Sequence, residues 1–449
     1  MTYDAIVIGA RCAGSPTAML LARRGARVLL VDKASFPSDT LSTHLLKPRG
    51  MAYVRRWGLR DRLVATGTPV QERFDFVRED ITLSGGPTPE ALGRCLLRAH
   101  GASFADHPSP PPVEWACVRR SVLDTLLVEA AVEAGVELRQ GFRVEELLRD
   151  GDRVVGVRGR SGGALVEERA RVVVGADGRH SSVARAVNAA VQAQRTRCTF
   201  TVYSYYSGID MPRLRVPLHL RGRVGAGFGP IHGGLSVISV WAPSEWFPGF
   251  RSDMEANLLG AVGYCYPELE ELMRAGRRED RIFGTDELHN VLRRAHGPGW
   301  ILVGDAGCVL DQCTAIGMTH AMRDAQLAAD AIGRGLDGEV SLDEALADYD
   351  ARRLAELMPQ FEYVSTVAEC NLPTLEQIKL LAAIAREPAH IARFLGFGAA
   401  IVPPEESFSP AERQALIDGA DGLEGVPTAG ELAERLREYA VNPWAGEIA

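Results

Sequence analysis

Short apolar runs alternate with helix-like segments at the start of the chain. This pattern predicts a strand over residues 3–9, a helix over 13–24 and a second strand over 26–32. The second strand contains four consecutive apolar residues, 28–31, and such runs are typical of parallel strands covered on both faces. The order strand, helix, strand therefore predicts an α/β unit built on a parallel sheet.

Later segments follow a different pattern. Aromatic and polar residues alternate between residues 199 and 286, which predicts an antiparallel sheet, and residues 66–114 are interpreted as strands and loops of the same layer. A short buried strand over 300–303 and a helix that ends near residue 332 return to the first pattern. The chain is thus predicted to be α/β, with a Rossmann-type nucleotide-binding domain (1–65, 115–195 and 295–365), an antiparallel-sheet substrate-binding domain that interrupts it (66–114 and 196–294) and a mostly helical C-terminal region (366–449).

Composition narrows the class of protein. The 449 residues carry a formal net charge of −8, and the contents of 46% hydrophobic and 24% charged residues are ordinary for a globular protein. A net negative charge does not favour nucleic acid as a partner. We expect no transmembrane segment, no signal peptide and no metal site, and the eight scattered cysteines are expected to be free thiols. These features predict a cytoplasmic protein that binds a small-molecule substrate.

A glycine-containing turn lies between the first strand and the first helix. Gly9 and Gly14 bracket it in a pattern close to Gly-x-Gly-x-x-Gly, whose glycines let pyrophosphate approach the helix N-terminus. Asp32 ends the second strand 18 residues after Gly14, where a carboxylate can accept hydrogen bonds from ribose hydroxyls. Arg11 replaces the second glycine, and its guanidinium could contact the pyrophosphate or point to solvent. The predicted dinucleotide contacts are Gly9, Ala10, Arg11, Ala13, Gly14, Asp32 and Lys33.

Two later turns also follow apolar strands. Asp177 and Gly178 come after the strand at 172–174, and Gly304 and Asp305 come after the strand at 301–303. A further segment begins the helix that ends near residue 332, and it consists of Ala315, Ile316, Gly317 and Met318. Each signal is weak alone, but their order after the N-terminal turn makes the set stronger.

In this order the motifs resemble those of the FAD-dependent superfamily of p-hydroxybenzoate hydroxylase. That superfamily also contains squalene epoxidases, geranylgeranyl reductases and flavin-dependent halogenases. The resemblance covers residues 1–60, 115–190 and 295–365, and it implies that FAD is the cofactor of the Rossmann-type domain. The predicted antiparallel sheet is not clearly covered.

The resemblance implies a role for each motif. The first turn and Asp32 would bind the ADP half of FAD, Asp177 and Gly178 would assist FAD and nicotinamide binding, and Gly304 and Asp305 would hold a ribityl hydroxyl. A family arginine in Arg-x-x-Leu-Asp matches Arg120 and would contact the cofactor, and the alternative is a surface arginine at a helix start. Free N–H groups where the helix starts at Gly317 would stabilise negative charge on reduced flavin.

The chain departs from the family pattern near its last motif. Cys308 stands in place of a histidine, Gln312 in place of a proline, and Ala315-Ile316 precede the last glycine. Side-chain roles at these positions are therefore not carried over. Cys308 and Cys313 are separated by four residues, unlike a Cys-x-x-Cys redox pair, and we interpret them as small buried thiols.

The chain has no second Gly-x-Gly-x-x-Gly between a strand and a helix, so NADH or NADPH would bind only transiently. Halogenases and geranylgeranyl reductases carry aromatic residues in a strand after the Asp-Gly motif. Gly225, Gly227 and Gly229 stand at the equivalent positions, where they would open room beside the flavin. The resemblance then implies an NAD(P)H- and O2-dependent monooxygenase that hydroxylates or epoxidises a small hydrophobic or aromatic substrate through a flavin C4a-hydroperoxide. The alternatives are a flavin-dependent ene-reductase resembling geranylgeranyl reductases and a flavin-binding protein with degenerate catalysis.

The sequence offers few candidate side chains for substrate contact. Tyr203 and Tyr205 share one strand face and Trp241 lies on another strand, and ordinary sheet core is the alternative for each. His44 lies in the loop after the second strand, which in the family passes near flavin and substrate. We therefore take His44 as the candidate catalytic residue, a proton shuttle, with a structural or exposed histidine as the alternative.

Overall fold

The computed structural model describes residues 2–104, 110–209 and 215–444. The strands, in chain order, are β1 (Thr2–Ile8), β2 (Val28–Asp32), β3 (Leu45–Leu46), β4 (Val70–Gln71), β5 (Arg73–Arg78), β6 (Ile81–Gly85), β7 (Trp115–Cys117), β8 (Glu137–Gln140), β9 (Arg143–Asp150), β10 (Arg153–Ser161), β11 (Ala164–Gly175), β12 (Val191–Arg195), β13 (Thr199–Ser207), β14 (Arg215–Arg221), β15 (Val224–Pro230), β16 (Ser236–Pro243), β17 (Arg277–Arg278), β18 (Phe283–Thr285), β19 (Asn290–Arg293), β20 (His296–Gly297), β21 (Trp300–Leu302) and β22 (Cys308–Val309). The α-helices are α1 (Gly14–Arg23), α2 (Pro48–Arg56), α3 (Arg60–Ala65), α4 (Pro89–His100), α5 (Arg120–Glu133), α6 (Ser182–Ala186), α7 (Phe247–Phe250), α8 (Met254–Cys265), α9 (Pro267–Ala275), α10 (Gly317–Leu336), α11 (Leu342–Ala368), α12 (Leu375–Ala385), α13 (Pro388–Gly398), α14 (Pro410–Asp418) and α15 (Ala429–Tyr439).

The first sheet has eight strands, six of which follow the order β20-β21-β11-β1-β2-β8. Val7 at its centre pairs in parallel with Val174 of β11 on one side and with Leu30 of β2 on the other. All three side chains are fully buried, and α1 packs against β1 and β2 between α5 and α10. The α/β class predicted from the apolar runs is therefore confirmed.

The second sheet also has eight strands, seven of which follow the order β17-β13-β16-β15-β14-β5-β6. Its neighbouring strands pair antiparallel except β14 and β5, which are parallel. β5 and β6 come from the first of the two predicted interruptions and the other strands from the second. Segments more than a hundred residues apart in the chain thus build one sheet, as the pattern of alternation predicted.

Four helices, α4, α7, α8 and α9, lie where only strands and loops were predicted. α4 falls within residues 66–114, and its start carries ordinary signals: Thr88 accepts a hydrogen bond from the Ala91 N–H, and Pro89 is the first helical residue. Leu92 and Leu96 of α4 pack into the core that surrounds the first sheet. Residues 66–114 therefore supply two strands to the second sheet, as expected, but also an unpredicted helix that packs with the first sheet. α8 and α9, which were also unpredicted, cover one face of the second sheet.

Two positively charged side chains near the N-terminus, Lys47 and Arg49, form hydrogen bonds with the C-terminal end of α13. Lys47 Nζ donates to the carbonyl oxygen of Gly398 at 2.6 Å, and Arg49 Nη1 donates to that of Ala400 at 3.1 Å. Both carbonyls lie at the C-terminus of α13, where positive charge is favoured. Burial lowers the pKa of Lys47 to about 8. In the described part of the chain, no helix is both long and apolar enough to cross a membrane.

Asp311 joins the second sheet to the segment that leads into α10. One carboxylate oxygen accepts the N–H of Thr199 at 2.7 Å, and the other accepts the Thr199 hydroxyl at 2.8 Å and the Cys313 N–H at 2.9 Å. Asn290 in turn accepts the N–H of Asp311 at 2.6 Å. The side chain is almost fully buried, so these bonds cannot be exchanged for water.

We expect Asp311→Ala to lower the free energy of unfolding by about 2–4 kcal/mol, because it leaves the buried N–H groups of Thr199 and Cys313 without an acceptor. Denaturant titration of the variant and of the unmodified protein measures the difference. Asp152→Ala, in an exposed turn, is the control and should change stability by less than about 0.5 kcal/mol. Equal losses in the two variants would contradict this role of Asp311.

Candidate active site

The turn between β1 and α1 lies against the end of β11. Gly9 has φ +104°, and a Cβ atom there would collide with the carbonyl oxygen of Ala176. A Cβ atom at Gly14 would collide with the carbonyl oxygen of Gly9 and lie 3.0 Å from the Ala176 side chain. The two glycines therefore let the turn and the start of α1 pack closely against the end of β11, which is the arrangement of a dinucleotide-binding turn. Ala13, which was predicted to be the first helical residue, is the N-cap that directly precedes α1.

Asp32 holds the same turn in place. One carboxylate oxygen accepts the Ala10 N–H at 2.7 Å and the other accepts the Ala34 N–H at 2.7 Å. Each oxygen keeps a second lone pair that a ribose hydroxyl could use. Lys33, the next predicted contact, is exposed beside it. Asp32 is thus part of the structure of the turn as well as a candidate ligand.

Arg11 does not point freely to solvent. Its Nη1 donates to the buried carboxylate of Asp124 at 2.6 Å, and its guanidinium lies 5.5 Å from the centre of the Phe36 ring. Arg120 donates to the other oxygen of Asp124 at 3.1 Å and is itself buried, so the surface-arginine alternative is wrong. One carboxylate therefore fixes two cations beside the predicted pyrophosphate site, which the motif alone did not reveal.

Asp177 is turned into its own loop. Its carboxylate accepts hydrogen bonds from the hydroxyl of Ser181 at 2.5 Å and from the N–H and hydroxyl of Ser182 at 2.6 and 2.8 Å. It thereby fixes the turn that precedes α6, and Gly178 provides the turn with φ +80°. The position of this loop next to Gly9 agrees with the motif, although the Asp177 oxygens already have partners within the protein.

Asp305 contrasts with Asp32 and Asp177. Among the described residues, its carboxylate has no hydrogen-bond partner and it remains accessible, although burial of the surrounding cleft raises its pKa. Gly304 has φ +57° and lies so close to α1 that a Cβ atom there would be 3.0 Å from the Ala13 side chain. The turn therefore presents an unpaired carboxylate beside the phosphate-binding turn, where a hydroxyl-bearing chain could be bound.

A buried ion network beneath this turn was not predicted from the sequence. Asp324 accepts the Gly304 N–H at 3.1 Å, and its carboxylate is also bound by Arg323 at 2.5 Å and by Arg353 at 3.2 Å. The three charged side chains are almost completely buried. Arg323 is the neighbouring residue on α10, but the other two partners, Arg353 on α11 and the Gly304 N–H, are 29 and 20 residues away, so the sequence gives no local signal of the network.

The segment before α10 matches the fourth predicted contact region. Ala315 has φ +52°, and Ile316 precedes the first helical residue, Gly317. A Cβ atom at Gly317 would meet no neighbour within 4 Å, so the start of α10 faces open space. The neighbouring Met318 is buried, and the Ser42 hydroxyl lies 3.8 Å from its sulfur atom. The helix dipole can therefore act on a bound anion at this end.

Cys308 and Cys313 are buried free thiols. Burial raises the pKa of Cys308 to about 12 and that of Cys313 well above its usual range. Since the thiolate is the reactive form, neither residue is suited to redox chemistry at neutral pH. This agrees with the interpretation from their spacing.

His44 is fully buried at the junction of the two sheets. Its Nε2 and the Tyr205 hydroxyl are 2.8 Å apart, and its ring lies 4.8 Å from that of Tyr203. Its backbone has φ +63°, which is uncommon for histidine, and Ser42 Oγ accepts its N–H. Burial, with the charge of Arg120, lowers the pKa of His44 to about 3. The imidazole is thus neutral at physiological pH, which favours a hydrogen-bonding role over one that requires an imidazolium ion.

A small cavity that is partly open to solvent separates the second sheet from the segment before α10. Apolar and aromatic side chains supply most of its wall, including Phe74, Leu218, Phe228 and Val237. Ala315 lines it from the other side. The cavity therefore adjoins the segment that is predicted to face the pyrimidine end of the flavin.

The glycines of β15 do not all open this cavity. Side chains on Gly225 and Gly229 would collide with the Trp241 indole and with Cys117 Sγ, which already occupy the space. Only Gly227 lines the cavity. The expectation that all three glycines open room was therefore wrong at two positions, because neighbouring strands supply the missing volume.

The fold and the site define a class, the FAD-dependent oxidoreductases. A family model described as an FAD binding domain matches residues 2–225. The chain belongs to the FAD-dependent superfamily of p-hydroxybenzoate hydroxylase, geranylgeranyl reductases and flavin-dependent halogenases. This confirms the resemblance carried by the motifs, and with it FAD as the cofactor.

Relatives of the chain have different activities. A brominase of 1H-pyrrole-2-carbonyl-peptidyl-carrier protein from Pseudoalteromonas luteoviolacea is 23% identical over 346 residues, covering 75% of this chain and 79% of that protein. Digeranylgeranylglycerophospholipid reductase 1 of Methanopyrus kandleri is 26% identical over 391 residues, covering 84% and 92%. Aklavinone 12-hydroxylase of Streptomyces peucetius is 31% identical over 181 residues, covering 40% and 36%. The family alone therefore does not select the reaction.

A solved structure supports the fold over most of the chain. PqsL, a probable FAD-dependent monooxygenase of Pseudomonas aeruginosa, superimposes with a TM-score of 0.67 at 24% sequence identity. The match covers 82% of this chain and 97% of that chain. It therefore includes both sheets, not only the motif-bearing one.

We expect Asp305→Ala to weaken FAD binding roughly tenfold, because a ribityl hydroxyl would lose its acceptor at a cost of about 1–3 kcal/mol. The apoprotein should keep its stability, since the carboxylate has no partner among the described residues. Asp32→Ala is the matched comparison: it should weaken FAD binding and also destabilise the apoprotein, because Ala10 and Ala34 lose their acceptor. FAD titration and denaturant unfolding measure the two effects. Unchanged FAD affinity in Asp305→Ala would contradict the assignment.

The lowered pKa of His44 predicts acid sensitivity. The unfolded chain binds a proton at this histidine below about pH 6.5 but the folded chain only near pH 3, so this group makes stability fall as pH drops through that window. Asparagine tolerates the same backbone angle as His44. We expect His44→Asn to reduce the decrease in the free energy of unfolding between pH 7 and pH 5 by about 2 kcal/mol. His289→Asn, at an exposed site, should leave the pH dependence unchanged. Parallel pH profiles for His44→Asn and the unmodified protein would exclude a buried neutral His44.

Proposed function

We propose that the protein is an NAD(P)H- and O2-dependent monooxygenase that hydroxylates or epoxidises a small hydrophobic or aromatic substrate. The observation that carries the proposal is the apolar cavity between the second sheet and Ala315, directly before α10. In the overall reaction, substrate, O2, NAD(P)H and a proton give oxygenated substrate, NAD(P)+ and water. FAD, when bound, supplies the redox and oxygen-activating chemistry.

The residues of this chain would bind and orient the cofactor. The closely packed turn at Gly9 and Gly14 would bring the start of α1 to the pyrophosphate, and Asp305 would offer a free acceptor to the ribityl chain. The first turn of α10, at Gly317, directs N–H groups and the positive end of the helix dipole toward the pyrimidine end. These residues fit FAD because the closely packed turn at Gly9 and Gly14 and the unpaired carboxylate of Asp305 border the same cleft.

The cavity and its surroundings would hold the substrate away from water. Its largely apolar wall favours a substrate with little polarity. His44, between the cavity-lining residues Thr43 and Leu45, would accept or donate a hydrogen bond without becoming charged. Its partner Tyr205 carries the Arg119 guanidinium 4.0 Å above its ring, and Arg119 reaches Asp39 near the surface. We therefore retain His44 as a candidate catalytic residue in a neutral, hydrogen-bonding role.

An ene-reductase is the second candidate. The digeranylgeranylglycerophospholipid reductase matches this chain over 92% of its own length, more than the brominase or the hydroxylase does. Reductases would use the same FAD cradle and the same transient nicotinamide. The difference lies in whether the reduced protein delivers electrons to oxygen or to a carbon–carbon double bond.

The test is to reduce the FAD-loaded protein with light under nitrogen and to mix it with oxygenated buffer or with an alkene acceptor, geranylgeraniol. A monooxygenase should be reoxidised by oxygen within seconds, and aerobic NADH or NADPH should support transfer of ¹⁸O from ¹⁸O2 into an aromatic probe such as 2-naphthol. Photoreduced free FAD is the control. Reduced protein that is stable in oxygen for minutes but reacts with the alkene would replace the monooxygenase proposal by the reductase. FAD binding with no NAD(P)H oxidation would indicate degenerate catalysis.

A further inference from the structure

We propose that the cavity selects an uncharged, flat, ring-containing molecule with one hydrogen-bonding substituent, and that Trp241 and Thr201 are the residues that select it. This inference rests on the proposed function, because it specifies the substrate class of the same cavity. It depends on three observations: an aromatic wall, one unpaired hydroxyl and a lining without charge.

Trp241 supplies the aromatic wall from an unexpected strand. It pairs with Gly225 across β15 and β16, and its indole fills the volume that a side chain at Gly225 would need. It also passes alongside Gly227, where a Cβ atom would lie 3.6 Å from the ring. No side chain of β15 therefore lies between the indole and the cavity, and Trp241 lines the cavity although only 5% of the residue is exposed to solvent. A flat indole favours offset stacking with another ring.

Thr201 supplies the unpaired hydroxyl. It pairs with Trp241 from the other side, across β13 and β16, and both residues line the cavity. Its Oγ1 is buried and has no hydrogen-bond partner among the described residues, whereas the nearby Ser239 hydroxyl donates to the carbonyl of Gly227 at 3.3 Å. Buried hydroxyls nearly always have a partner. A hydroxyl or carbonyl on a ring stacked against Trp241 would provide one.

The lining argues against a charged substrate. No residue that lines the cavity in the described part of the chain is charged. Two nearby cations have partners of their own: Lys47 donates to the Gly398 carbonyl, and Arg119 is paired with Asp39. A carboxylate moved into this cavity would lose its hydration without gaining a counter-ion, which is strongly unfavourable. An uncharged ligand has no such loss.

Three naphthalene probes separate these contributions by calorimetric titration of oxidised, FAD-loaded protein at pH 7.5. Naphthalene tests the aromatic wall, 2-naphthol adds the hydrogen-bonding group, and 2-naphthoate places a charge on the same rings. We expect 2-naphthol to bind about tenfold more tightly than naphthalene and at least tenfold more tightly than 2-naphthoate. Binding of 2-naphthoate as tight as that of 2-naphthol, or no binding by any probe, would overturn the proposal.

Variants assign the selection to the two residues. Thr201→Val, which keeps the volume, should abolish the preference for 2-naphthol over naphthalene while naphthalene binds as before, and Thr201→Ser should keep the preference. Thr366→Val makes the same change on the exposed face of α11 and should alter nothing. Trp241→Leu should weaken naphthalene and 2-naphthol by similar factors of about ten. A preference that survives in Thr201→Val would refute the role of Thr201.

The binding assay needs no turnover, so its result tests the substrate class separately from the proposed monooxygenase activity. Protein that binds 2-naphthol through Thr201 but transfers no oxygen would keep this inference and reject the monooxygenase. Protein that oxygenates substrates but binds 2-naphthoate as well as 2-naphthol would do the reverse.

Discussion

The site depends on the close approach of the β1–α1 turn to the end of β11. A side chain is excluded at Gly9 by the carbonyl oxygen of Ala176 and at Gly14 by that of Gly9. This contact forces three strand ends, those of β1, β11 and β21, to open onto the same cleft. The phosphate-binding turn, the loop at Asp177 and the carboxylate of Asp305 are thereby brought together from segments far apart in sequence. Such convergence at the carboxyl ends of parallel strands is general for open α/β sheets.

Two buried carboxylates, those of Asp324 and Asp311, connect this cleft to the rest of the molecule. Asp324 binds the Gly304 N–H and two arginines, so it connects the turn before Asp305 to α10 and α11. Asp311 binds both Thr199 of the second sheet and the backbone at Cys313. The cofactor cradle and the cavity are therefore fixed relative to each other by hydrogen bonds to charge, which are stronger than those between neutral groups. Removing Asp324 would leave two buried arginines without their counter-ion, and removing Asp311 would leave buried N–H groups without an acceptor.

The sequence predicted the elements whose signals are local. Apolar runs identified β2 and β11, alternation identified β13, and the glycine turns placed Asp32 and Asp305 correctly at strand ends. Sequence analysis failed for contacts between residues that are far apart in the chain. The pairing of Arg11 with Asp124 joins residues 113 positions apart, and nothing near either residue indicates it. The filling of Gly225 by Trp241 depends on strand register, which a single sequence does not reveal. α4 is different, since Thr88 and Pro89 marked its start and the period of Leu92 and Leu96 was readable.

The indole of Trp241 occupies the space that a side chain at position 225 would need. A bulky side chain on β15 can be accommodated only if the indole on β16 is withdrawn, so the two sites are not free to change separately. Relatives that place their aromatic residue on the first of these strands would then need a small residue on the second. The aromatic side chain could thus be moved from β16 to β15 only by replacing both residues, because a single replacement at Gly225 collides with the indole.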